Sequence, residues 1–274
     1  MKDFVLELIR EKKSHNEKLN LMREYLQAYI LRIMHDAGVF RTTAFVGGAA
    51  LRFLHGLPRF SEDLDFSIVG EEHISFSRLL KKIKGELDAA GYQVSLTAEK
   101  EKAVNSAFVK FENLLFEAGL TPHRDQKFSI KIEIDVNPPK GAVLTTQIVN
   151  RYFLISFLSY DTASLFAGKL HALLSRKYTK GRDFFDVGWY LSKWRNLEPN
   201  ILLLRNALKQ TAWKGIMPTK ENWRPLISDV VQKANWSRVR EDVQNFLENP
   251  KDLDILAKEN ILSLLGAEAG DDRD

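Results

Sequence analysis

Asp63 and Asp65 stand two residues apart in the segment Ser61-Glu-Asp-Leu-Asp-Phe66. On a strand that spacing puts both carboxylates on one face. They repel each other there unless a cation lies between them, and hard oxygen ligands suit Mg²⁺, with Mn²⁺ as the alternative. Upstream, Gly47 and Gly48 fall where a short β-rich run meets a short helix. Adjacent glycines at such a junction let backbone N–H groups approach a phosphate closely. A phosphate cradle beside metal-binding carboxylates is the equipment of phosphoryl or nucleotidyl transfer. An Asp-x-Asp pair alone is common on solvated edge strands; the glycine pair one helix and turn upstream tips the balance toward phosphate chemistry. Arg52 and Ser61 flank the arrangement. Ser61 can donate to a phosphate or cap a turn, and Arg52 can pair with a phosphate or with one of the acids.

A second set of acids lies on Phe128–Val136. Phe128, Ile130, Ile132, Ile134 and Val136 alternate with Ser129, Lys131, Glu133 and Asp135, the pattern of a half-buried strand with a polar face. A third carboxylate beside Asp63 and Asp65 would complete a metal site or take the proton from an attacking hydroxyl. Glu133 is the first choice because it occupies the middle of the strand, with Asp135 as the alternative. Lys131 on the same face equally suits an ordinary solvated strand.

A third constellation is Ala167-Gly-Lys169-Leu-His-Ala-Leu-Leu-Ser-Arg176 followed by Lys180-Gly-Arg182-Asp183-Phe-Phe-Asp186. Lys169 and Arg176 are two helical turns apart, and Asp183 and Asp186 share a helix face. Two cations presented together can clamp a triphosphate. Spacing supports a helix surface laced by internal salt bridges equally well.

Positioning these groups requires an α+β chain. Residues 2–38 read as two helices, with Met22, Leu26, Ile30 and Ile33 near a 3.6 period in the second. Short strands are expected at Thr42–Val46 and Leu64–Val69, with a helix near Ala49–His55 between them. An amphipathic helix follows over 75–90, then strands at Tyr92–Ala98 and Ala107–Phe111. Asn137-Pro-Pro-Lys-Gly141 breaks the pattern, and beyond about residue 160 the spacing is helical. This gives an N-terminal lobe over 1–145, a mixed sheet flanked by helices, and a helical lobe over 146–274. The tail Gly270–Asp274 is expected to fray.

Composition narrows the function classes. The 274 residues include no cysteine, so disulfides and thiolate metal sites are excluded. The six histidines, His73 among them, show no metal-ligand spacing, and no Walker phosphate loop is present. No apolar run suggests a signal peptide or a membrane span, and cytoplasmic residence is expected. Net charge is only +4, but Lys169–Arg224 carries 12 Lys/Arg against 4 Asp/Glu. That excess suits a polyanion such as RNA. The four tryptophans in the same stretch read chiefly as core.

Four motifs taken together resemble the AbiEii/AbiGii toxin family of nucleotidyltransferases, within the DNA polymerase beta superfamily. They are Gly47-Gly-Ala-Ala-Leu-Arg52, Arg59-Phe-Ser-Glu-Asp63-Leu-Asp65-Phe66, Lys131-Ile-Glu133, and the Lys169 and Asp183 segments. The resemblance implies a bilobed protein with its active site between the lobes, using an NTP. It also implies a toxin of a type IV toxin–antitoxin or abortive-infection system, controlled by a cognate antitoxin. Several members look like enzymes that add nucleotides to the 3′ acceptor end of tRNA and block translation; others are similar but modify protein. Carried over, Asp63 and Asp65 match the metal acids and Glu133 the third acid. Lys169 matches a nucleotide-contacting lysine, and Asp183 a further acid needed for activity. Gly47, Gly48, Arg52, Ser61, Arg176 and Asp186 complete the expected nucleotide site. This chain departs from the family pattern at Ala49, where Ser or Thr is usual, and at Gly168, where an acid usually precedes the lysine. The competing functions are transfer onto a protein hydroxyl and a catalytically silent module that binds RNA or protein through the basic lobe.

Overall fold

The computed structural model describes residues 1–70, 75–100 and 103–266. His73 and the tail Gly270–Asp274 lie outside them. Two compact units result: Met1–Pro138 with Leu144–Ser159, and Pro139–Val143 with Tyr160–Asp274.

The first unit opens with α1 (Lys2–Arg10) and α2 (His15–Asp36). Gly38, in the left-handed region at φ 74°, ends the helical run and starts a short 3-10 turn. Then come β1 (Thr43–Val46), α3 (Gly47–His55), β2 (Asp63–Ile68) and α4 (Phe76–Ala89). The strands β3 (Val94–Lys100) and β4 (Val104–Phe111) form a hairpin, followed by α5 (Leu114–Glu117) and β5 (Phe128–Asp135). The last strands are β6 (Leu144–Asn150) and β7 (Leu154–Tyr160). All seven join one sheet in the order β3-β4-β5-β2-β1-β7-β6. The sheet is mixed: β2 runs parallel to β5 and β1 parallel to β7, while β1 and β2 are antiparallel.

The core follows the apolar periods. Met22, Leu26, Ile30 and Ile33 of α2 are buried, as are Phe76, Leu79, Leu80, Ile83 and Leu87 of α4. Phe45 of β1 lies with its ring centroid 5.3 Å from both Phe66 of β2 and Phe157 of β7. Ring stacking of this kind fixes the three strands side by side.

The boundary expected at 145/146 falls inside β6. The chain instead leaves the first unit at Pro138, joins the second for Pro139–Val143, and returns through β6 and β7. Hydrogen bonds explain why the short strap belongs to the second unit. Asn200 Nδ2 donates to Gly141 O at 2.7 Å, Asn206 Nδ2 donates to Lys140 O at 2.7 Å, and Val143 N donates to Ser164 Oγ at 3.0 Å. The two later strands had no sequence expectation. β6 alternates between exposed and half-exposed residues, and outward Leu154 blurs the period of β7.

The second unit is helical among its described residues: α6 (Thr162–Ser175), α7 (Gly181–Lys193), α8 (Ile201–Gln210), α9 (Trp223–Lys233), α10 (Trp236–Gln244), α11 (Asp252–Ile255) and α12 (Lys258–Gly266). Side chains close three of their N-termini. Asp161 accepts from Ser164 N, Asn200 from Leu203 N and Asn235 from Arg238 N. Such caps satisfy N–H groups that the helix leaves unpaired. Phe166 stacks on Tyr190 at 4.6 Å and meets Trp223 edge-on at 5.6 Å, so Trp223 is core, as expected.

Candidate active site

Parallel pairing of β2 with β5 brings the two acid sets together. The register places Asp63 opposite Lys131, Asp65 opposite Glu133 and Ser67 opposite Asp135. Leu64 and Phe66 are buried in β2, and Ile130, Ile132 and Ile134 are buried in β5. Asp63, Asp65, Lys131, Glu133 and Asp135 therefore share the opposite face of the sheet. Glu133 is the acid set beside Asp65. Asp135 lies one pair further along, where its carboxylate accepts from Asn137 N at 2.9 Å. Burial raises the pKa of Asp135 above the ordinary carboxylate value.

The glycine pair is pressed against this face. Gly47 begins α3 at φ 76°, a conformation that side-chain-bearing residues rarely adopt. A Cβ there would overlap Asp65 Oδ2 and lie 2.9 Å from Asp65 Cβ. A Cβ on Gly48 would lie 3.0 Å from both Arg59 Nη2 and Ser61 Oγ. Gly47 is thus set against Asp65, and its neighbour Gly48 against Arg59 and Ser61. The N-cap residue of α3, Val46, has no side-chain acceptor to offer the first N–H groups. A helix start of this kind favours an anion.

Lys131 has a larger part than its place in the pattern implied. Its Nζ lies 2.6 Å from Glu133 Oε1. Its pKa is held up first by that hydrogen bond, and further by the charges of Glu133, Asp63 and Asp65. The carboxylates share an internal ammonium counter-charge. Among the described residues no group of three His or acid side chains is gathered as a ready metal-ligand set. In chemical kind the carboxylates of Asp63, Asp65 and Glu133 fit a hard divalent cation.

Two positioning residues were not legible in the sequence. Gln27 of α2 is 2% exposed, and its Nε2 donates to Ser61 O and Glu62 O, both at 3.0 Å. It fixes the approach to β2. Arg59, also buried, sits against Gly48 and donates to Phe60 O at 2.8 Å. Burial is the signal for Gln27, which shares the buried side of α2 with Asn20 and Glu24, and it appears only in the folded chain.

Arg52 is placed differently from the phosphate contact anticipated for it. It is 2% exposed, and its Nε donates to Glu24 Oε2 at 2.6 Å while Nη1 donates to Leu57 O at 2.9 Å. Its guanidinium lies 4.4 Å from the Phe60 ring centroid. Glu24 also accepts from Arg151 Nε at 3.1 Å and Tyr152 Oη at 3.0 Å. This buried hub joins α2, α3 and the β6–β7 turn.

In the second unit, the expected cluster forms across α6 and α7. Lys169 Nζ lies 2.6 Å from Asp186 Oδ2 and 3.5 Å from Asp183 Oδ1. Arg176 Nε lies 3.2 Å from Asp183 Oδ2. Both aspartates are buried, where a polar group without partners is costly, and these cations supply partners. The sequence reading weighed salt bridges on a helix surface; the ion pairs found here are buried and run from Lys169 and Arg176 to α7. Arg182 holds the start of α7, its backbone N donating to Asp242 Oδ2 at 3.2 Å.

Among the described residues no helix is long and apolar enough to cross a membrane. Curated protein sequences provide no match to the chain. Two solved Helicobacter pylori structures share the fold. One, described as a proposed nucleotidyltransferase, has TM-score 0.58 and 19% identity, over 90% of this chain and 93% of its own. The other, JHP933, has TM-score 0.56 and 18% identity, over 90% of each chain. The family model for the nucleotidyl transferase AbiEii toxin of type IV TA systems matches residues 29–259, which spans both the acid-bearing sheet and the helical unit. By that match the chain belongs to the AbiEii family of nucleotidyltransferase toxins.

Proposed function

We propose that this nucleotidyltransferase moves an NMP from an NTP onto the 3′ acceptor end of tRNA and so blocks translation in the cytoplasm, under the control of a cognate antitoxin. The observation that carries the reading is the β2–β5 register. It sets Asp65 beside Glu133 on the face against which Gly47 closes. The backbone N–H groups at the start of α3 receive the NTP phosphates. Asp63 and Asp65 hold Mg²⁺, or Mn²⁺, which when bound offsets the negative charge on the phosphate groups. Glu133, ion-paired with Lys131, accepts the proton of the acceptor hydroxyl. The hydroxyl oxygen then bonds to the α-phosphorus, the bond to the β-phosphate oxygen breaks, and pyrophosphate leaves with that electron pair. Lys169 and Asp183 contribute to nucleotide handling in this reading, as do Arg176 and Asp186.

Labelled NTPs, each of the four in turn, are incubated with the full chain, bulk tRNA and Mg²⁺. Label is expected in tRNA, lost in Asp63→Ala and Asp65→Ala, and reduced more by Glu133→Gln than by Asp135→Asn. Absence of label with every NTP sinks the proposal. Label that survives RNase and runs with protein moves the acceptor to a protein hydroxyl.

A further inference from the structure

The helical unit carries a cavity of about 370 Å³ that the acid-bearing face does not include. Arg176, Lys177, Lys180 and Lys233 line it, and Asp183 is its only acidic wall residue. Arg176 already holds Asp183, at 3.2 Å, leaving the lysines in excess. Lys177 and Lys233 are exposed. Lys180 is half-buried, and its pKa is lowered first by burial and then by Arg176 and Arg182. Such crowding of like charge is relieved by an anion.

Tyr178 stands on the same wall with 60% of its surface exposed. Its ring is not loose: Arg176 Nη1 donates to Tyr178 Oη at 3.2 Å, and the guanidinium lies 5.8 Å from the ring centroid. A pre-positioned aromatic beside several lysines offers a base a stacking surface and its backbone a run of cations. A lone phosphate would need the lysines but not the ring, and the cavity is larger than one phosphate requires.

We infer that this cavity binds a single-stranded RNA segment, with a base stacked on Tyr178 and backbone phosphates on Lys177, Lys180 and Lys233. The inference deepens the proposed function, since it supplies a binding site for the acceptor strand and rests on that acceptor being RNA. Binding is nevertheless separable from transfer. The full chain is titrated into a fluorescently labelled single-stranded RNA oligonucleotide without NTP and with EDTA, and anisotropy is read at several salt concentrations.

Affinity is expected to fall about tenfold or more in Tyr178→Ala and to persist in Tyr178→Phe, as loss of one stacked base predicts. Lys180→Met and Lys233→Met should each flatten the dependence of log affinity on log salt by about 0.7, the share of one single-strand phosphate contact. Thermal melts confirm that the variants fold. Unchanged affinity in Tyr178→Ala together with unchanged salt dependence in Lys180→Met and Lys233→Met would overturn the inference. So would equal binding of blunt duplex RNA, or displacement of the RNA by free ATP at the concentration at which ATP itself binds, which assigns the cavity to nucleotide. A failed transfer assay with intact, Tyr178-dependent RNA binding would count against the catalytic reading alone.

Discussion

Gly47 and Asp65 are in such close contact that no side chain fits between them: a Cβ on residue 47 would overlap the Asp65 carboxylate. The backbone of the glycine turn and the Asp65 carboxylate are therefore set by each other. Gly47→Ala adds that overlap to the strain of a residue at φ 76°. A stability loss of about 1–2 kcal/mol is expected from the backbone alone. Nucleotide transfer should fall by far more than the remaining folded fraction allows, because Asp65 must move. Urea unfolding beside the labelled-NTP assay checks both; normal transfer by Gly47→Ala would show that the contact is incidental.

Lys131 neutralises part of the charge that a metal would otherwise meet. Lys131→Met should bind Mn²⁺ several-fold more tightly, measured by calorimetry without NTP, since a cation at a few ångströms opposes a second one. The same variant should lose at most about 1 kcal/mol of stability, because the Lys131–Glu133 pair is partly exposed. Unchanged or weaker metal binding refutes the counter-charge role.

Arg52 and Glu24 bury both charges, each side chain being 3% exposed. Arg52→Met should cost about 3 kcal/mol in urea unfolding, because it removes the nearest cation from an interior carboxylate and leaves it only Arg151 and Tyr152. Arg52→Met combined with Glu24→Gln should recover part of the loss. If Arg52→Met leaves stability intact and instead raises the KM for NTP, Arg52 is a nucleotide contact after all.

Two helix glycines should behave oppositely. Gly168 of α6 has open space where a Cβ would stand, so Gly168→Ala should stabilise by about 0.5–1 kcal/mol. At Gly181 a Cβ would collide with the backbone of Val239 in α10, lying 2.8 Å from its carbonyl carbon. Gly181→Ala should destabilise by about 1–3 kcal/mol or more. Equal melting temperatures for the two variants would contradict the packing described.

His171 shares its Nε2 with Thr211 Oγ1 at 3.1 Å. Its pKa is lowered from 6.5, first by burial and then by Arg176. A histidine with a depressed folded pKa binds its proton more readily when unfolded. Its contribution is therefore intact above 6.5 and lost as pH falls toward the folded value. Melting temperature should drop more steeply for the wild-type chain than for His171→Gln between pH 7.5 and about 5. Parallel curves would rule the residue out as a source of acid sensitivity.

Local patterns were enough to read the elements that carry the chemistry. The two-residue period of Phe128–Asp135 and the spacing of Asp63 and Asp65 fix which side chains share a face, because strand geometry alone dictates it. The glycine pair likewise marked the junction between a strand and a helix, where Gly47 takes a positive φ. By contrast, the choice of Glu133 over Asp135 as the neighbour of Asp65 depends on the register of two strands far apart in the chain. Nothing local sets it. The same holds for the pairing of Arg52 with Glu24, 28 residues away, and for Gln27 holding the loop before β2. Burial decides these cases: a charge or amide removed from water must find a partner, and only the folded chain determines which partners lie within reach.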